Sequence, residues 1–178
     1  MKIIFAQGNP GTDYELSRHN VGFMIVDTLA TKLETQWTNK PKFHAQIANG
    51  TIGNEKVILV KPTTFYNETG TSARKIIDFY KLNPITDLLV IHDDLALPFG
   101  TIREYIRGRD AGNNGIKSIN THIETDYTRI RIGIWNEFRD AMDDSDFVIA
   151  KFRNAESRQL KKSVIPQVLE LIEKFCDK

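Results

Sequence analysis

The residue pattern predicts an α/β layer fold built around a largely parallel sheet. Short apolar runs alternate with longer stretches of helical spacing along most of the chain, which is how strands and helices that share one core are written. Three of the apolar runs are each followed at once by a polar cluster. The chain has 178 residues, and domains of roughly 100 to 200 residues are usual, so residues 1–178 are expected to form one domain.

The elements follow in order. Residues 3–6, Ile3-Ile4-Phe5-Ala6, read as a buried strand stopped by Gly8-Asn9-Pro10-Gly11. Val21, Ile25, Leu29 and Leu33 recur every fourth residue, with Val26 and Ala30 beside them, and this spacing predicts a helix over residues 21–33. Residues 44–52 and 56–60 read as a strand pair joined at Gly53-Asn54, a turn suited to a hairpin. Ala73, Ile76, Ile77 and Tyr80 keep helical spacing until Asn83-Pro84 ends it.

Residues 88–91 form the next buried strand. Arg129-Ile130-Arg131-Ile132-Gly133-Ile134 alternates strictly, as a strand with one apolar face does. Leu160, Val164, Val168, Ile172 and Phe175 mark a C-terminal helix, which Pro166 is expected to kink or divide near Ser163. Residues 136–145 are acidic and irregular in pattern, which makes them the candidate mobile loop.

Composition narrows the function classes. Hydrophobic residues make up 40% and charged residues 26%, which are globular values. Lys and Arg number 24 against 23 Asp and Glu, for a net charge of +1. That balance excludes a protein that coats nucleic acid along its length. Cys176 is the sole cysteine, so an intrachain disulfide and a multi-cysteine metal site are both excluded. The apolar run at the N-terminus is too short for a secretory signal or a membrane span. A soluble, cytoplasmic protein without membrane attachment is expected.

The three polar clusters are Gly8-Asn9-Pro10-Gly11, Lys61-Pro62-Thr63-Thr64-Phe65-Tyr66-Asn67 and His92-Asp93-Asp94. In open parallel sheets ligands bind in the crevice beyond the carboxyl ends of the strands, so parallel strands bring these clusters together. The glycines at 8 and 11 lack the spacing of a dinucleotide fingerprint or a P-loop, which argues against a nucleotide cofactor. Asn9 carries an amide that both donates and accepts, suited to a peptide-like group.

His19, in Arg18-His19-Asn20, is either a structural histidine or a base. An Asp accepting its Nδ1 proton would fix its tautomer and stabilise the imidazolium formed in base catalysis, and Asp93 and Asp94 are the available carboxylates. Those two aspartates alternatively serve a solvated turn or a helix cap. His19, His92, Asp93 and Asp94 also offer donors for a divalent ion, but no metal-binding spacing is present. No Gly-x-Ser-x-Gly elbow occurs, so a hydrolase built on this chain would activate water directly. Arg103, Arg107, Arg109 and Lys117, with Arg129 and Arg131 on one strand face, form a local basic patch able to meet phosphates.

Several motifs in register resemble the bacterial peptidyl-tRNA hydrolase family. They are Gly8-Asn9-Pro10-Gly11, Tyr14, Arg18-His19-Asn20-Val21-Gly22, Lys61 to Gly70, His92-Asp93-Asp94-Leu95-Ala96-Leu97-Pro98, Asn114-Gly115 and Arg129 to Ile134. The resemblance implies a three-layer α/β/α sandwich with a mixed, largely parallel central sheet. It implies a monomer with no cofactor and no metal, which hydrolyses the ester joining a peptide to the terminal ribose of tRNA. By the same resemblance His19 is the general base, Asp93 its partner, and Asn9 the reader of the peptide portion. Asn67 and Asn114 hold substrate and water, Tyr14 and Phe65 line the groove for the tRNA terminus, and Arg103 and Arg131 meet its phosphates. The chain departs from the family at Asn113, where a His is common, at Tyr66, which replaces a usual Met, and at Trp135-Asn136-Glu137-Phe138, where the lid usually opens with Gly-x-Pro.

Overall fold

A computed structural model describes residues 1–178. Seven strands make one sheet: β1 (Lys2–Ala6), β2 (Thr38–Lys40), β3 (Ala45–Ile52), β4 (Glu55–Pro62), β5 (Leu88–Pro98), β6 (Ile102–Tyr105) and β7 (Thr128–Trp135). Their order is β2-β3-β4-β1-β5-β7-β6. The central pairs β4/β1, β1/β5 and β5/β7 are parallel, whereas β2/β3, β3/β4 and β6/β7 are antiparallel. The sheet is mixed, and its parallel centre is flanked by antiparallel pairings.

Helices cover both faces. Alternate residues of the buried strands point to opposite sides, so β1 sends Ile4 and Ala6 into one core and Ile3 and Phe5 into another. The first core is closed by α1 (Val21–Lys32) and the C-terminal α7 (Ile165–Cys176), which contribute Val21, Ile25, Leu29, Val168 and Ile172. The second is closed by α2 (Thr69–Tyr80) and α4 (Asn114–Ile123) through Ala73, Ile76, Ile116 and Ile119. The remaining helices are short: α3 (Pro84–Asp87), α5 (Asp144–Ile149) and α6 (Asn154–Gln159). The result is the expected three-layer α/β/α arrangement.

Two local features differ from the sequence expectation. β5 does not end at Ile91 but runs on to Pro98, with His92, Asp93 and Asp94 paired to Arg131, Ile132 and Gly133 of β7. The aspartates are therefore buried strand residues, not a solvated turn or a helix cap. Polarity fails to end the strand because β7 satisfies its backbone and neighbouring side chains satisfy the carboxylates.

Residues 136–145 are regular rather than irregular. A 3-10 turn over Glu137–Ala141 is capped by the Asn136 side chain, which accepts from the Phe138 N–H at 3.0 Å, and α5 follows. Pro166 acts as expected: a π-helical turn over Leu160–Val164 separates α6 from α7, letting the chain absorb a proline that lacks a donor and clashes one turn back.

α1 is held tightly against the ends of β1 and β5. A Cβ placed on Gly22 would stand 2.7 Å from the Gln7 carbonyl oxygen and 2.8 Å from that of Ile91. Only glycine admits this approach, and it brings the turn just before α1 over the carboxyl ends of the central strands.

Candidate active site

The three polar clusters converge on one cleft of about 680 Å³ at those strand ends. Asn9 comes from the end of β1, Phe65, Tyr66 and Asn67 from the segment after β4, and Asp93 from β5. His19 arrives on the 3-10 turn Arg18–Asn20 that leads into α1.

His19 and Asp93 meet directly. The His19 Nδ1–H donates to Asp93 Oδ2 at 2.8 Å, which leaves Nε2 as the ring nitrogen available to the cleft. Asp93 is buried, and burial alone would raise its carboxyl. The opposing His19 charge and the hydrogen bonds from His19 and Tyr66 prevail, holding it below its ordinary value and ionised. The Tyr66 hydroxyl donates to the other oxygen, Asp93 Oδ1, at 2.5 Å. The Tyr66 ring stacks on the His19 imidazole with centroids 3.9 Å apart and planes 9° from parallel. Asn113 completes the group, its Nδ2 donating to the Tyr66 hydroxyl oxygen at 3.0 Å.

Asn9 is fixed on three sides. Its backbone N–H donates to Asn20 Oδ1 at 2.8 Å, its carbonyl accepts from Asn20 Nδ2 at 2.9 Å, and its Oδ1 accepts from the Tyr66 N–H at 2.8 Å. With Oδ1 occupied, the side-chain NH2 is the polar group Asn9 offers to the cleft. His92, behind Asp93, donates from Nδ1 to the Asp93 carbonyl at 2.8 Å, and burial pushes its imidazole down to about 4. It is therefore a neutral ring next to the carboxylate.

The placement of the other candidates is mixed. Phe65 is exposed on the cleft rim, and Asn67 and Asn114 line it. Tyr14 lies on a separate 3-10 turn and does not line the cleft. Arg131 reaches the cleft but its Nε donates to Asp94 Oδ2 at 2.5 Å, so it enters as half of an ion pair. Arg103 stands directly opposite Arg131 on β6, exposed and outside the cleft. Arg129, on the same strand face, is only 3% exposed and donates from Nη1 to the Arg109 carbonyl at 3.1 Å. It lines the inner wall of the cleft and braces the loop before α4. Acidic residues share the cleft with these arginines: Asp94, Asp110 and Asp144 line it.

Residue patterns missed four participants. Tyr66 and Asn113 stood out only as departures from a family pattern, although Asn113 also carries a readable signal as the N-cap of α4, its Oδ1 accepting from the Ile116 N–H at 3.0 Å. Asn20 is adjacent to His19 but its role as clamp on Asn9 exists only in three dimensions. Asp94 was grouped with Asp93, whereas strand alternation sends it to Arg131 instead. No three His, Cys, Asp or Glu side chains converge in an arrangement that would hold a metal ion.

A carboxylate-held histidine beside amide side chains, at the strand ends of a three-layer α/β/α sheet, is able to take a proton from a group bound in the cleft and return it. A family model described as peptidyl-tRNA hydrolase matches residues 3–178. The chain is 44% identical over 160 residues to the peptidyl-tRNA hydrolase of Fusobacterium nucleatum, covering 90% of this chain and 82% of that one. It is 40% identical over 178 residues to that of Listeria welshimeri, covering 99% and 90%. A crystal structure of a peptidyl-tRNA hydrolase complexed with N-propanol superposes with a TM-score of 0.89 at 33% identity, covering 99% of this chain and 89% of that one. The Acinetobacter baumannii peptidyl-tRNA hydrolase gives 0.81 at 32% identity, covering 99% and 94%. The chain belongs to the peptidyl-tRNA hydrolase family.

Proposed function

We propose that the chain hydrolyses the ester of peptidyl-tRNA by a water that His19 activates. The observation that carries this reading is the 2.8 Å bond from His19 Nδ1–H to buried Asp93. It makes Nε2 the acceptor for a proton from water, and the carboxylate stabilises the imidazolium that results. The water oxygen attacks the ester carbonyl carbon. The tetrahedral intermediate then expels the ribose oxygen, which takes the proton back from His19, leaving free peptide and tRNA.

The amide groups supply recognition. The Asn9 NH2 is assigned to the peptide portion, which separates peptidyl-tRNA from free aminoacyl-tRNA, and Asn67 and Asn114 are assigned to substrate and water. Donors aimed at a developing oxyanion are typically worth about 10² to 10³ in rate each. Phe65 offers an exposed ring for stacking at the tRNA terminus, and Arg103 with Arg131 offers positive charge beside it. Tyr14 is assigned to the outer path of the acceptor end, since it stands off the cleft. The same reading takes residues 1–178 as one domain acting as a monomer in the cytoplasm with no cofactor. The single continuous sheet supports one domain, and no helix is long and apolar enough to cross a membrane.

A release assay comparing N-blocked with unblocked aminoacyl-tRNA, with and without EDTA, tests the reading. Cleavage of the blocked substrate alone, resistant to EDTA, is expected. His19→Ala should abolish cleavage and leave tRNA binding intact. Full turnover by that variant would remove His19 as base, and loss of activity in EDTA would replace direct water activation with metal hydrolysis.

A further inference from the structure

The His19–Asp93 pair does not stand alone, and the residue that joins its two halves is the one the mechanism leaves unused. Tyr66 touches both partners: its ring lies flat on the imidazole at 3.9 Å and its hydroxyl donates to Asp93 at 2.5 Å. The residue is 3% exposed, and its ring is wedged against α4. A Cβ placed on Gly115 would stand 2.4 Å from the Tyr66 ring, so the site is shaped around this ring. Asn113 Nδ2 donates to the Tyr66 hydroxyl oxygen at 3.0 Å, and to the Asp93 carbonyl at 3.3 Å. With that lone pair filled, the hydroxyl hydrogen is directed at Asp93. Burial and the neighbouring Asp93 charge hold the Tyr66 hydroxyl well above its ordinary value, so it remains a donor throughout the working pH range.

We propose that Tyr66 is a positioning residue that sets the proton affinity of the His19–Asp93 pair, with Asn113 orienting its hydroxyl. The proposal rests on the assignment of His19 as base. The physical basis is a division of one negative charge between two donors. Asp93 is a two-oxygen acceptor, and what its Oδ1 gives to the tyrosine is withheld from the imidazolium that forms against Oδ2. The stacked ring adds a second constraint by fixing the imidazole plane, so that Nε2 keeps one direction into the cleft.

The other charged groups of the cleft include Arg109 and Asp110 on the loop before α4, where Asp110 accepts from the Gly112 N–H. His92 is a neutral ring bonded to the Asp93 backbone, Asp94 is paired with Arg131, Arg139 is paired with Asp144, and Arg129 is bonded to a carbonyl. None of them touches the Tyr66 hydroxyl.

Tyr66→Phe separates the hydroxyl from the ring. Without the donor, Asp93 places its full charge on His19, so the histidine should hold its proton to higher pH. A rise of roughly half a unit to one unit is expected, read two ways: as a shift of the acidic limb of kcat/KM on N-blocked aminoacyl-tRNA, and as the His19 Cε1–H NMR titration in free protein. KM at the pH plateau should not change. Tyr66→Met removes the ring as well, and should add a roughly tenfold fall in plateau kcat to the same shift. Asn113→Ala, which removes the amide donor together with the α4 N-cap, should shift the titration in the same direction by less.

A His19 titration in Tyr66→Phe within 0.2 units of the parent would overturn the proposal, as would a loss confined to KM. If Tyr66→Phe does not fold, an unchanged titration in Asn113→Ala overturns it equally. The NMR arm needs no turnover, so a shifted titration in a chain that fails to cleave peptidyl-tRNA leaves the Tyr66 role standing and overturns the substrate reading instead.

Discussion

Asp93 accepts two hydrogen bonds from groups of different kind, one from the His19 imidazole and one from the Tyr66 hydroxyl. An amide in its place has one oxygen and one NH2, so Asp93→Asn can serve only one of these donors. If the oxygen faces Tyr66, the NH2 faces His19, the imidazole must turn its Nδ1 into an acceptor, and Nε2 becomes protonated and useless as a base. Activity should fall by about 10³ to 10⁴ while the fold persists. The measurement is kcat on N-blocked aminoacyl-tRNA alongside thermal denaturation, and retention of more than about a tenth of the activity would show that the carboxylate does not hold the tautomer. At this scale the sequence carried the chemistry of the site but not its wiring. The convergence of His19, Asp93 and Asn9 on one cleft was legible because polar residues that follow parallel strands gather at one edge of the sheet. The clamp of Asn20 on Asn9, and the separate partners of Asp93 and Asp94, depend on which way neighbouring side chains point, and neither composition nor spacing encodes that.

Several elements hold the His19 turn from outside the site. Arg18, the residue before His19, is 3% exposed and donates to both oxygens of Glu156 on α6, at 2.8 and 3.1 Å. It also donates to the carbonyls of Ala150 and Lys151 and lies over the rings of Phe147 and Phe152. Glu156 in turn accepts from the Arg153 N–H and from Asn136 Nδ2, both at 2.7 Å. One carboxylate therefore ties together the turn bearing His19, the start of α6 and the segment that follows β7. Glu156→Ala should leave a buried guanidinium without its counter-charge, at a cost of about 3 kcal/mol or more. Urea denaturation at unchanged m-value measures this, and a loss under 1 kcal/mol would show that the carbonyl bonds of Arg18 suffice. Elements of this kind were partly legible. Periodicity located α1, α2, the β3/β4 hairpin and the break before α7, because burial imposes regular spacing. It missed the length of β5 and the order of residues 136–145, where polar side chains are satisfied by partners remote in sequence.

The whole molecule carries a net charge of +1, so an anionic partner is attracted by local arrangement alone. Among the arginines near the cleft, Arg129 is buried under the loop before α4 and Arg131 is paired with Asp94. Arg103 is exposed beside them, with no carboxylate partner. Arg103 and Arg131 are tested by salt dependence together with affinity. Removing an exposed phosphate contact lowers the slope of log affinity against log salt by roughly 0.7 to 0.9, and Arg103→Ala should do this with a modest loss of affinity. Arg131→Ala should change the slope similarly but weaken binding further, because it releases the Asp94 carboxylate to repel phosphate. The added substitution Asp94→Asn should recover that extra part and nothing more. Binding of an N-blocked aminoacyl-tRNA to chains that also carry His19→Ala, titrated across salt concentrations, isolates these effects from turnover. An unchanged slope in Arg103→Ala would make that residue ordinary solvated surface, and an undiminished deficit in the Arg131→Ala, Asp94→Asn chain would show that the ion pair's work is structural. A molecule this close to neutral gains few counterion-release contacts, so its hold on tRNA should be weak with a shallow dependence on salt, and its product should leave readily, as repeated turnover on a large polyanion requires.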